Sequence, residues 1–533
     1  MWWGCIAQRC ANAVPHASDH WLNSSDGVRL CCRVWLPDGE GPWPVLLMRQ
    51  PYGRAIASTV TYAHPQWYAS RGYAVAVQDV RGRGDSEGVF EGFAQEAHDG
   101  SATLAWLRQQ SWCSGRIGCY GFSYQGLSQL LLSDPNHLPD ALAPAMAGLD
   151  ERLHWASEGG CHWWALGVGW GLQLAAQQAQ RTGNRAGWQE IREAIDNGSF
   201  LRSGAALLQR LDPNGMAARW LASDPASADG WICHQPPEEL WRRPMLLVGG
   251  WHDPHLRGVL DLWQRSSTAG GEPWLHIGAW SHLNWQGGID QLQLRFFDQH
   301  LKGLERSVPH RQLQDLGQGR WQAREPHTCS GQRWALQSNG LAAVNHQEGV
   351  LDQNGSGNGG VDVVHDPWRP LPGRGGHLGL DAGSCDRTDL DQRSDVACFT
   401  TEALQESIEL FGEPRLKLRA AADQPGFDLC VALSVIRRNG SVQQCSSGVA
   451  RWLGQGCLQN QDRHVRLQPL LLSLEPGERL RLSIGLAAWP QIAVNPGNGS
   501  MPIGPSGPDH RVISVTLDLE DAELSIKPMV GAD

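Results

Sequence analysis

The sequence predicts an α/β fold: a parallel sheet with helical crossovers, interrupted by a helical insertion and followed by an all-β region. Three observations carry this. Short continuous apolar runs alternate with helically spaced segments over the first 144 residues. Two more apolar runs, at 244–250 and 274–278, return after a stretch rich in Trp, Ala, Gln and Leu. Beyond residue 396, strand-like segments separated by turn residues take over. Strands alternating with helices imply parallel pairing through right-handed crossovers.

Residues 28–36 alternate and are broken by Pro37 and Gly39. Residues 44–48 and 73–78 are continuous apolar runs, the pattern of strands buried on both faces. Residues 99–110 carry Ala102, Leu104, Ala105 and Leu107 at helical spacing. Residues 116–120 form the next strand, and 127–132 a helix after it. Within 145–235, helical spacing recurs at 164–166, 172–180 and 188–195. The runs at 244–250 and 274–278 restore the sheet, and 292–301 form a closing helix stopped by Gly303. Residues 351–377 are rich in Gly and Pro and read as a linker or long loop. The strands at 416–421, 429–436, 480–484 and 511–517, with turns at Asn439-Gly440 and Glu475-Pro476-Gly477, read as a β-sandwich or jelly roll. The domains are therefore 1–144 and 239–315 for the α/β core, 145–238 for a helical cap, and 316–533 for the linker and jelly roll.

Composition narrows the function. A chain of 533 residues exceeds what one core supports. A net charge of −11 without a basic stripe argues against nucleic acid and against an anionic membrane surface. No stretch approaches 18 apolar residues. The N-terminus, with Trp2, Trp3 and Cys5, lacks a basic region and a sustained apolar core, so it makes a poor signal peptide. The 14 cysteines are scattered, without zinc spacing, and read as reduced thiols of a cytoplasmic protein. No cofactor and no metal are expected. The 26 tryptophans fit core filling and a broad apolar pocket equally well.

The chemistry centres on Gly121-Phe122-Ser123-Tyr124-Gln125-Gly126, a Gly-x-Ser-x-x-Gly variant of the serine nucleophile elbow. A strand that turns at once into a helix strains the residue between them, and Gly121 and Gly126 let the two elements approach. A serine hydroxyl is a weak nucleophile near pH 7 and needs a base that a carboxylate orients. Asp253 follows the strand at 244–250, and His282 follows the strand at 274–278. Both sit where loops leave the carboxyl edge of a parallel sheet, the edge that carries ligands. The order Ser, acid, His is that of the elbow-type hydrolases. The oxyanion needs two donors. One is the Tyr124 backbone N–H. The second could be the Tyr52 hydroxyl; packing of Tyr52 on Pro51 is the alternative.

Three early blocks, Arg49-Gln50-Pro51-Tyr52, residues 77–88 and residues 121–126, resemble the cocaine-esterase-like hydrolases of the Xaa-Pro dipeptidyl-peptidase family. So do Gly250-Trp251-His252-Asp253, Trp280-Ser281-His282 and residues 296–303, and later 399–404 and 495–499, all in family order. The resemblance implies an α/β-hydrolase core, an inserted helical cap and a C-terminal jelly roll of galactose-binding type. It also implies that Tyr52 completes the oxyanion hole. The sequence departs from the family in having Pro254 after the acid, and it lacks the carboxylates that α-amino-acid ester hydrolases place nearby. His252 reads as scaffold, and the loop at 81–88 as a turn tied down by Arg81, Asp85 and Glu87.

The reading is a serine hydrolase that cleaves an ester or amide through an acyl-enzyme. The partner is a small-molecule substrate, and a homodimer is an open assembly. Trp155, Trp163, Trp164 and Trp170 could line a substrate pocket, or simply pack the cap. Two other functions remain open: an Xaa-Pro dipeptidyl-peptidase, for which no amine anchor is visible, and a non-catalytic binding protein using the jelly roll.

Overall fold

The computed structural model describes residues 17–55, 62–285, 287–305 and 309–530. The N-terminal segment read as a poor signal peptide lies outside them. The chain divides into two compact units. One comprises 1–143, 236–244 and 288–307; the other comprises 144–235, 245–287 and 308–533. Among the described residues, no helix is long and apolar enough to cross a membrane.

In the first unit, Trp43–Gln50 pairs in parallel with Ala74–Asp79 on one side and Cys113–Phe122 on the other. Arg29–Trp35 and Ala17–Asn23 add antiparallel strands beyond Ala74–Asp79. Every residue of Ala74–Asp79 is buried, which is why Ala74 to Val77 are apolar without alternation. The helix Ile289–Lys302 belongs to this unit and lies against the elbow strand, so close that a Cβ on Gly118 would stand 2.7 Å from the Phe297 ring. Tyr68 and Tyr73 donate to Gln293 and Asp298 of that helix at 2.7 and 2.9 Å. Gly303 ends it at φ +69°, as the sequence predicts.

The helix expected at 127–132 is shorter and earlier, Tyr124–Ser128. The apolar run was real but marks burial: Leu127, Leu130, Leu131 and Leu132 are all buried, whether helical or not. A fully buried carboxylate, Asp79, organises the adjoining loops. It accepts the Arg54 N–H and pairs with the Arg54 guanidinium at 2.6 Å. It also accepts Asp85 N–H at 3.1 Å. Gly84, at φ +51°, passes so close that a Cβ would fall 2.1 Å from the Asp79 carboxylate. Arg81 binds Asp99 and Asp26, and Arg29 binds Glu87. The charges of the 81–88 loop are thus spent on structure.

In the second unit, Leu246–His252, Trp274–Ser281 and Arg311–Gln314 run parallel, with Trp321–Gln322 antiparallel at the edge. Helices Trp164–Arg181, Arg185–Asp196, Phe200–Leu211 and Met216–Ala222 form the cap, longer than the spacing predicted. Their core is Trp164, Val168, Leu172, Ile191, Phe200 and Leu208. Buried Glu151 ties the cap down, accepting from Arg219 and Trp220 Nε1 at 2.6 Å and meeting His234 at 3.0 Å.

The C-terminal part of this unit is one eleven-stranded sheet. Its strands Ile408–Ala422, Gly426–Ile436, Arg479–Gly485 and Ile513–Lys527 extend the predicted ones at one or both ends. The stretch read as a linker is corrected: it contains the strand Gly360–His365, paired antiparallel with Asp518 to Ile513 of the strand Ile513–Lys527. Val361 and Val363 are buried between exposed Asp362 and Val364, an alternation that the surrounding glycines obscured. Inside the sheet, Arg451 binds Asp428 through two hydrogen bonds, 2.7 and 2.6 Å, and both side chains are nearly sealed from solvent. Removing one partner of such a pair strands the other charge. Arg451→Met should therefore cost about 3–5 kcal/mol in chemical denaturation, while a change at exposed Arg192, which pairs with Asp196 on the helix surface, should cost under about 1 kcal/mol.

Candidate active site

Ser123 stands between the strand Cys113–Phe122 and the helix Tyr124–Ser128 at φ +58°, ψ −127°. L-residues avoid this conformation, which costs on the order of 1–3 kcal/mol. The chain enforces it by leaving no spare residue between strand and helix. Gly121, at φ +147°, brings the elements so near that a Cβ would lie 2.4 Å from Gln125 Cβ. The Ser123 carbonyl accepts from the N–H groups of Gly126 and Leu127 at 2.8 and 3.1 Å. This is the strand–turn–helix context that the elbow motif requires.

Tyr124 opens the helix, so its N–H is one of the donors the helix itself cannot use. Its ring is fixed elsewhere. The hydroxyl lies 2.8 Å from both Glu96 Oε1 and the Gly92 carbonyl, and the ring stacks on Phe93. Burial pushes the Glu96 carboxyl above its usual range against the pull of Arg49. Tyr52 is half-buried two residues after Trp43–Gln50, and its N–H donates to Gln50 Oε1 at 2.9 Å. Arg54, bound to Asp79, anchors the loop on the other side.

Asp253 and His282 belong to the second unit. Leu246–His252 and Trp274–Ser281 are parallel neighbours, with Ser281 opposite His252. The next residue of each strand is therefore delivered to the same place. Asp253 is fully buried, and its Oδ2 lies 2.6 Å from His282 Nδ1. Its Oδ1 accepts the His255 N–H at 2.9 Å, and its backbone carbonyl accepts Gln468 Nε2 at 2.7 Å. A carboxylate only accepts, so Nδ1 carries the proton and Nε2 is the basic nitrogen. Trp285 Nε1 donates to the His282 carbonyl at 2.9 Å, and its ring stacks on Trp280.

The His255 ring lies 4.8 Å from the His282 ring and 4.6 Å from Trp155. Its Nδ1 is 2.6 Å from the His154 carbonyl. Burial pushes its pKa down to about 4, with the Asp253 charge opposing, so the ring is neutral near pH 7. His252 is buried and lowered to about 4 as well. The cap tryptophans divide. Trp155 and Trp163 flank His255, and Trp170 follows Trp155 at 6.1 Å. Trp164 lies in the cap's own core, donating to the Leu201 carbonyl. The contacts of His255 and Gln468 were not foreseen. The position of His255, two residues after the acid, was the one available signal; Gln468 gave none.

Residues 26–284 match the X-Pro dipeptidyl-peptidase (S15) family, and residues 306–518 match its C-terminal non-catalytic domain. Cocaine esterase from Rhodococcus sp. (strain MB1 Bresler) is 27% identical over 544 residues, spanning 91% of this chain and 93% of that protein. The crystal structure of an aminopeptidase from a marine sediment Thaumarchaeota archaeon superposes with a TM-score of 0.72 at 18% identity, covering 98% of each chain. An α-amino acid ester hydrolase gives 0.69 at 17% identity, covering 99% of each. These similarities establish the α/β-hydrolase fold with a C-terminal β-rich domain.

The strain at Ser123 has a measurable consequence. Glycine adopts left-handed conformations freely, so Ser123→Gly should be more stable than Ser123→Ala by about 1 kcal/mol in denaturant titration. Equal stabilities would show an unstrained elbow.

Proposed function

From the premise that the chain belongs to the X-Pro dipeptidyl-peptidase (S15) family of serine hydrolases in both of its domains, we propose that it cleaves a small-molecule ester or amide through an acyl-enzyme. Ser123 is the nucleophile, His282 the general base and Asp253 the orienting acid. The observation that carries this is the contact between His282 Nδ1 and the fully buried Asp253. It fixes the tautomer with Nε2 basic, as a base acting on a serine hydroxyl must be. Nε2 takes the Ser123 proton as Oγ attacks the carbonyl carbon. The tetrahedral oxyanion is held by the Tyr124 N–H and the Tyr52 hydroxyl. His282 then returns the proton to the leaving group, and water repeats the sequence to free the acid.

The surroundings favour an uncharged acyl group. Pro254, His255 and Leu256 follow the acid, and His255 is neutral near pH 7. No carboxylate in that stretch awaits a substrate ammonium. Trp155, beside His255, is the cap tryptophan best placed to face substrate, and Trp164 is left to packing. An Xaa-Pro dipeptidyl-peptidase is the second reading, supported by the family match over 26–284. We propose a cytoplasmic location, which the scattered cysteines, read as reduced thiols, support.

A fluorophosphonate probe tests the reading against that of a binding protein. The wild type should label at one site, and Ser123→Ala should lose both label and turnover while staying folded. Hydrolysis that survives Ser123→Ala would overturn it. Comparing acyl and aryl esters with Xaa-Pro amides separates the two enzymatic readings.

Two further outcomes are expected. Asp253→Asn should lower kcat roughly 10⁴-fold, because His282 loses the acceptor that fixes its tautomer. Tyr52→Phe should cost about 10²- to 10³-fold in kcat. Its effect on KM should be small, because the donor meets charge that exists only in the tetrahedral state. A Tyr52→Phe variant that keeps its rate and loses only stability would return Tyr52 to packing.

A further inference from the structure

The loop carrying Asp253 is fastened by the C-terminal region. Gln468 lies 215 positions further along the chain and is 2% exposed. Its Nε2 donates to the Asp253 carbonyl at 2.7 Å. The amide can face only one way, since its oxygen would repel a carbonyl. Gln468 is itself held: its N–H donates to the Ser447 carbonyl at 2.8 Å, and Ser446 Oγ donates to its carbonyl at 2.6 Å. One helical turn past Asp253, Arg257 donates to the Leu467 carbonyl at 3.0 Å and pairs with the fully buried Glu413. Two consecutive residues, 467 and 468, thus grip the chain at 253 and 257.

The grip acts at a sensitive point. Pro254 follows Asp253, so the peptide between them has no N–H, and its carbonyl is the sole polar group by which it can be held. That carbonyl sets the backbone from which the Asp253 carboxylate reaches His282. The Leu256 N–H also approaches it, at a longer 3.2 Å.

We propose that Gln468 is a positioning residue for the catalytic acid: by holding the Asp253 carbonyl it fixes the carboxylate against His282. The C-terminal domain then takes part in the chemical step as well as in folding. The inference rests on the reading of Asp253 and His282 given above.

Gln468→Met keeps most of the side-chain volume and loses the donor; Gln468→Ala leaves space that water can fill. Either one, if folded by circular dichroism, suffices for the test. Expected is a fall in kcat of about 10- to 10²-fold, as for a displaced catalytic group, with KM nearly unchanged. The far-downfield proton resonance of His282 Nδ1–H, identified by its loss in Asp253→Asn, should move upfield in the same variant. A folded variant with wild-type kcat, or with reduced kcat but an unmoved resonance, overturns the proposal. Failure of the underlying reading looks different: wild-type protein would hydrolyse esters without labelling at Ser123.

Discussion

A carboxylate with no exposed surface governs the second unit. Burying a charge in protein is unfavourable by several kcal/mol unless hydrogen bonds and an opposite charge compensate it. Asp253 has its two oxygens matched to His282 Nδ1 and the His255 N–H, and its carbonyl to Gln468. Each of these partners imposes a demand of its own. His282 must leave its strand one residue after the position facing His252. His255 must turn its ring toward the His154 carbonyl, which brings the start of the cap alongside. Gln468 must come from the C-terminal sheet, and Glu413 of the same sheet takes the Arg257 charge.

The first unit follows the same logic with a different currency of constraint. There the unfavourable element is conformational, at Ser123, and the supports are close packing at Gly121 and the hydrogen bonds at the Ser123 carbonyl. Asp79 plays the part for the Tyr52 loop that Asp253 plays in the other unit: a sealed carboxylate whose partners, Arg54 and the Asp85 N–H, pin the loops that leave the sheet.

Much of this was legible in the sequence because burial on both faces writes itself as uninterrupted apolar residues. The strands Ala74–Asp79 and Leu246–His252 could hardly be missed. Asp253 and His282 stood out for a second reason: they follow two successive runs of this kind and come in the order acid, then His, after the elbow. What escaped notice depended on partners far away in the chain. Gly360–His365 is a strand because Ile513–Lys527 pairs with it, and its flanking glycines carry no trace of that. The run at 127–132 misled because leucines packed in irregular backbone resemble leucines on a helix face. The extent of the cap helices was underestimated where glycine broke the apparent pattern, as at Gly167, Gly169 and Gly171 of Trp164–Arg181.

The strand Ile513–Lys527 pairs with Arg333–Gln337, Gly360–His365 and Ile408–Ala422, all of which precede it in the chain. During synthesis those three segments emerge before their shared neighbour, so the sheet can close only once residues 513–527 have been made. Domains generally fold as units while the chain emerges, and the unit that holds Asp253 and His282 includes this late strand. A polypeptide truncated before residue 513 would bear Ser123, Asp253 and His282 but lack the strand that joins those three segments.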